Sequence, residues 1–113
     1  MSRNLCLTRQ CLGLVTRIEC AIKPLAGDNG MWTLLFAAGM AGEQPSAIKA
    51  QGPFHGPLVA ESVLNAIVDS LTLHGYQVAD DPQIWCVHLQ AQLCRINGER
   101  VHHVGDLQSN PDT

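Results

Sequence analysis

The chain has 113 residues, of which 46% are hydrophobic and 15% charged, with a formal net charge of −3 and an isoelectric point near 5.9. That length holds one hydrophobic core and leaves little room for a second, so residues 1–113 are expected to form one domain. The seven Lys and Arg residues are scattered, which argues against the basic face that phosphate-dominated nucleic-acid binding requires.

The charged share is well below the roughly 25% of an ordinary soluble domain, while the apolar share is normal. A surface short of charge leaves neutral or apolar area to be covered by a partner. A second copy of the same chain is the simplest cover. The five cysteines, Cys6, Cys11, Cys20, Cys86 and Cys94, are odd in number and form no CxxC pair. That usage fits free thiols in a reducing compartment, and cytoplasmic residence is the expectation. Arg9 and Gln10 interrupt the leucines of the first fifteen residues, so no signal-peptide core or membrane span is expected.

Residues 1–12 show no clear period and read as a loosely ordered lead-in. From Leu14, apolar Leu14, Ile18, Cys20 and Ile22 share one strand face, and Arg17, Glu19 and Lys23 fall on the other. Pro24 ends the strand, and Gly27, Asp28, Asn29 and Gly30 supply turn residues. "MWTLLFAAG" places Trp32, Leu34 and Phe36 on one face and Met31, Thr33, Leu35 and Ala37 on the other; both are largely apolar, as in a central strand. After a second turn through Gly42 and Pro45, "SAIKAQ" is a third, shorter strand. Short turns between the three imply an antiparallel meander.

"GPFHGP", residues 52–57, then turns strand into helix. Pro57 suits a first helical turn. Val59, Val63, Leu64, Ile67, Val68 and Leu71 recur at helical spacing over about Leu58 to His74, and Gly75 is placed to close the helix. Phe54 is expected to pack under its first turn. In "QIWCVHLQAQLCRINGER" the alternation of Trp85, Val87, Leu89, Ala91 and Leu93 is that of a strand. The Asp81-Pro82 start and the Leu, Gln and Ala content favour a helix, which is expected from Pro82 to Ile96 with Asn97-Gly98 ending it. The alternative is a C-terminal β-hairpin through Asn97-Gly98. The tail adds at most a short strand, and residues 106–113 are expected to be loosely ordered. The fold class is therefore α+β, a three-stranded antiparallel meander followed by two helices on one face of it (β-β-β-α-α).

Chemistry-bearing residues are few. His55, at the approach to the first helix, is placed to assist anion binding by exposed backbone N–H groups, although no phosphate-loop pattern is present. Cys86 lies in the first turn of the expected second helix, where the dipole lowers a thiol's pKa, with His88 close by in sequence. His55, Cys86 and His88 are thus the candidate ligand-binding residues; the bland reading of each, a loop histidine and a cysteine packed beside Trp85, has the greater weight. On a strand, Cys86, His88 and Cys94 would share a face, but no short CxxC or HxxxH pairing anchors a metal site. The scattered carboxylates and serines match no catalytic pattern. Neither a catalytic residue nor a metal or cofactor is assigned. The expectation is a small non-catalytic module for protein interaction or self-association. The rivals are a ligand-binding protein or enzyme using His55, Cys86 and His88, and a weak nucleic-acid binder through Arg17, Lys23 and Lys49. No membrane partner is expected.

Overall fold

The computed structural model describes residues 3–27, 30–80 and 82–109. Five strands and two helices follow in the order β1 (Arg3–Cys11), β2 (Leu14–Pro24), β3 (Met31–Met40), β4 (Ala47–His55), α1 (Pro57–Leu73), β5 (Gln77–Ala79) and α2 (Cys86–Ser109). The strands form one sheet in the order β4-β3-β2-β1-β5, and every neighbouring pair is antiparallel. The α+β class and the central meander agree with expectation. Two strands are additional.

The first addition is the lead-in. Residues 3–11 are not loose but pair with β2 along their whole length, from Arg3 opposite Ile22 to Cys11 opposite Leu14. β1 lies inside the sheet, between β2 and β5, and its neighbours Cys6 and Leu7 are both buried although they point to opposite faces. A strand covered on both faces loses its apolar–polar alternation, and so no period is visible. The hairpin between β1 and β2 turns on Leu12 and Gly13, with φ of 54° and 79°. Two left-handed residues are the type I′ arrangement that matches strand twist, reached here with a leucine in place of the usual Asn or Asp. The second addition is β5, which pairs with β1 through Gln77, Val78 and Ala79.

The third expected strand is longer than "SAIKAQ", since β4 continues through Gly52 to His55 with a register shift opposite Trp32 and Leu34. The Gly52–Pro53 peptide bond in this strand is cis. The segment read as a turn is thus strand as far as His55, and the turn is confined to Gly56. Asp28 and Asn29 of the first expected turn lie outside the described residues.

The helix α1 matches its expected bounds closely. Pro57 occupies its first turn, and its end is closed by two backbone bonds, Gly75 N–H to Thr72 O and Tyr76 N–H to Leu71 O. This is the Schellman arrangement, which needs a left-handed residue after the cap; Gly75 provides it with φ of 96°. Ala60 and Leu64 are buried, and Phe54, Val63, Ile67, Val68 and Leu71 pack around them. Val59, expected on that face, is about half exposed.

The two helices do not share a face. Cys20, Ile22 and Leu34 pack beneath α1, whereas their chain neighbours Ala21 and Leu35, with Ala37, pack beneath Trp85, Leu89 and Leu93 of α2. Successive strand residues point to opposite sides, so the molecule has three layers, helix, sheet and helix. The dual apolar character of β3 already requires a cover on each side. α2 itself is a helix, as expected over the hairpin alternative, but it starts at Cys86 and runs through Asn97-Gly98 to Ser109. A helical glycine costs only about 1 kcal/mol. The Asn97 side chain is engaged elsewhere, its Oδ1 accepting from Ala26 N–H at 2.8 Å and fastening α2 to the β2–β3 loop. Helix over residues 101–109 replaces the expected tail strand; residues 110–113 lie outside the described residues.

Candidate functional site

Arg17 and Glu19 have a role that strand alternation conceals. They lie on the β2 face that α2 covers, and both are buried, Glu19 completely. Arg17 Nε donates to Glu19 Oε2 at 2.6 Å, and its Nη2 donates to Pro82 O, also at 2.6 Å. The Glu19 carboxylate accepts the backbone N–H groups of Ile84 at 2.8 Å and Trp85 at 3.0 Å. It therefore sits against the positive end of α2, where a negative charge is favoured. Gln83 adds donations from its amide to Leu5 O and Cys20 O, and Trp85 Nε1–H donates to Glu43 O at 2.8 Å. The entrance to α2 is fastened to the sheet and to the β3–β4 turn, which fixes what the helix presents outward.

With Trp85, Leu89, Leu93 and Ile96 turned to the sheet, the outward side of α2 is Val87, Gln90, Ala91 and Cys94, with Cys86 at its edge. From Trp85 to Cys94 there is no Asp, Glu, Lys or Arg. A surface helix normally carries its charges on this side. Here the outer face is an uncharged stripe holding a shallow groove of about 560 Å³ lined by Cys86, Val87, Gln90, Ala91 and Cys94. Val87 is 75% exposed.

The β4 flank of the same helix is different. His88, Gln92 and Arg95 follow one another at helical spacing and, with Ser46, Ala47 and Ile48, line a cleft of about 340 Å³. Arg95 Nη1 donates to Gln92 Oε1 at 3.3 Å.

Of the three sequence candidates, Cys86 and His88 lie on different sides of α2, about 200° apart, and border different hollows. Cys86 is exposed rather than packed beside Trp85. His55 is exposed at the far end of β4, opposite Met31. Seven strand residues, roughly 23 Å, separate it from Ile48, which borders the His88 cleft. The fold does not bring the three together. Arg17, Lys23 and Lys49 share no open surface either, because Arg17 is buried under α2 and Lys49, opposite Phe36, is on the α1 side. In a helix, Cys86, His88 and Cys94 do not converge, and among the described residues no three His, Cys, Asp or Glu side chains gather as a metal site.

The buried thiol of Cys20 is pushed up to about 12, first by burial, then by the neighbouring Cys6 and by the Glu19 carboxylate. Cys6 and Cys20 point to opposite faces of the sheet, since Cys6 lies opposite Glu19 and Cys20 opposite Leu5. Neither is suited to nucleophilic work. Cys11, Cys86 and Cys94 are the exposed thiols.

The Glu19 anchor escaped sequence reasoning because its partners lie 65 and 66 residues further along the chain. The available signal was a Glu beside apolar Cys20 and Ala21 in a strand whose neighbour β3 is apolar on both faces. One comparison with known proteins bears on the whole chain: the family model of PA4575-like proteins matches residues 1–113. The chain belongs to that family. Its description names no activity. No curated protein and no solved structure matches the chain. No described helix is long and apolar enough to cross a membrane.

Proposed function

We propose that this member of the PA4575-like family is a small non-catalytic module that associates with a second copy of itself through the outer face of α2. The observation that carries the reading is the absence of charge on the solvent side of that helix from Cys86 to Cys94. The stripe is its own complement. Paired antiparallel about Gln90, Cys86 of one copy lies opposite Cys94 of the other, an isologous contact that closes at two subunits. In that register the two helices overlap only from Cys86 to Cys94, about 14 Å. Such a contact is smaller than the ~800 Å² per partner of a stable complex, so the dimer is a weak, exchanging one.

Thiol labelling tests the location of the contact. At low protein concentration Cys11, Cys86 and Cys94 react with a thiol reagent at comparable rates. On raising the concentration, Cys86 and Cys94 slow together while Cys11 does not. Equal rates at every concentration, or slowing of Cys11 alone, would remove α2 as the contact.

A further inference from the structure

The cleft beside His88 has a chemistry that the self-association reading does not use. Its polar lining comes from α2, with His88, Gln92 and Arg95 in a row, and from Ser46 just before β4; among the described residues no Asp or Glu lines it. Arg95 uses one of its donors on the neutral Gln92 and, among the described residues, makes no ion pair. Because Gln92 Oε1 accepts from Arg95, the amide NH₂ of Gln92 faces away from that bond and is available as a donor. His88 is half-buried and has no hydrogen-bond partner among the described residues. The Ser46 hydroxyl is committed, donating to Ala38 O at 3.2 Å, and its oxygen keeps only acceptor capacity. The cleft therefore offers guanidinium, amide and imidazole donors with no carboxylate to satisfy them, in a protein whose net charge is −3.

We infer that this cleft is a site for a small oxyanion, a phosphoryl group free or carried on a small molecule, held by Arg95, Gln92 and His88. The guanidinium fork matches two phosphate oxygens, and a volume of about 340 Å³ suits a small ligand rather than a polymer. One arginine and one histidine are far short of the several phosphate contacts that a nucleic-acid backbone needs. The site is on the β4 flank of α2 and stands whether or not the outer stripe dimerises.

Two-dimensional NMR titration with inorganic phosphate at constant ionic strength tests it. Amides of residues 45–48 and 88–95 should shift and saturate in the millimolar range. Arg95→Gln should weaken the response at least tenfold, and Arg9→Gln, on the opposite face of the sheet, should leave it unchanged. Spectra of both variants report whether each is folded, and His88→Gln supplies a second variant if Arg95→Gln is not. A small phosphomonoester distinguishes the source: tighter binding than inorganic phosphate assigns the site to a carried group, and equal binding to the free ion. Shifts spread over all Lys and Arg neighbourhoods, or a response unchanged in both cleft variants, would overturn the assignment.

Discussion

At the scale of single residues, Cys20 couples stability to alkaline pH. Its thiol is pushed up to about 12 in the folded protein, mainly by burial, from an ordinary value of 9.0. The unfolded chain therefore loses this proton first as pH rises. The stabilisation is complete below pH 9 and declines between about 9 and 12, by at most ~1.4 kcal/mol per pH unit. Urea midpoints of Cys20→Ala and the parent protein should therefore converge as pH climbs from 8.5 to 10.5. Parallel curves would show that Cys20 ionises freely in the folded state.

At the scale of elements, the informative contrast lies between the two helices. The bounds of α1 were legible because its signals are local: Pro57 at its start, a 3–4 spacing from Val63 to Leu71, and Gly75 at its end. The start of α2 is set instead by Glu19 on β2, more than sixty residues away, and no local capping residue could reveal that. Its end differs from expectation for a related reason, since Asn97 fastens to the β2–β3 loop instead of ending the helix after Ile96. β1 was illegible because covering both faces of a strand removes its period. Of the candidate site, the shortage of charge was plain in composition, but which surface lacked it depended on which side of α2 meets the sheet. Removing the Glu19 charge should test the anchor. Glu19→Gln removes the charge that accepts from Arg17 and from the Ile84 and Trp85 N–H groups and is expected to cost about 3 kcal/mol. Amide exchange in α2 should accelerate more than in α1. Replacing both residues, Arg17→Met with Glu19→Leu, should cost less than Glu19→Gln alone. A Glu19→Gln protein as stable as the parent would mean that the pair does not hold α2.

For the molecule as a whole, the sheet edges and the outer helix faces compete as sites of association. The β5 edge is three residues long, and the β4 edge carries Lys49 and Pro53, a charge and a missing N–H donor that discourage strand addition. The other exposed apolar side chains include Leu12 and Leu14 at the β1–β2 turn, Leu58 and Val59 in the first turn of α1 and Leu73 at its end. The α2 stripe is continuous and uncharged, and the entrance to its helix is fastened to the sheet by Arg17 and Glu19. These features favour a helix-to-helix dimer over extension of the sheet. Sedimentation velocity across a range from low to high micromolar concentration, on the parent protein and on Ala91→Lys, tests this most directly. Ala91 is exposed in the middle of the stripe, so the substitution places two like charges near the dyad without disturbing the core. The parent is expected to shift from monomer to dimer over that range, with association weakened at least tenfold in Ala91→Lys. A parent that stays monomeric throughout, or a dimer indifferent to the added lysine, would contradict the account.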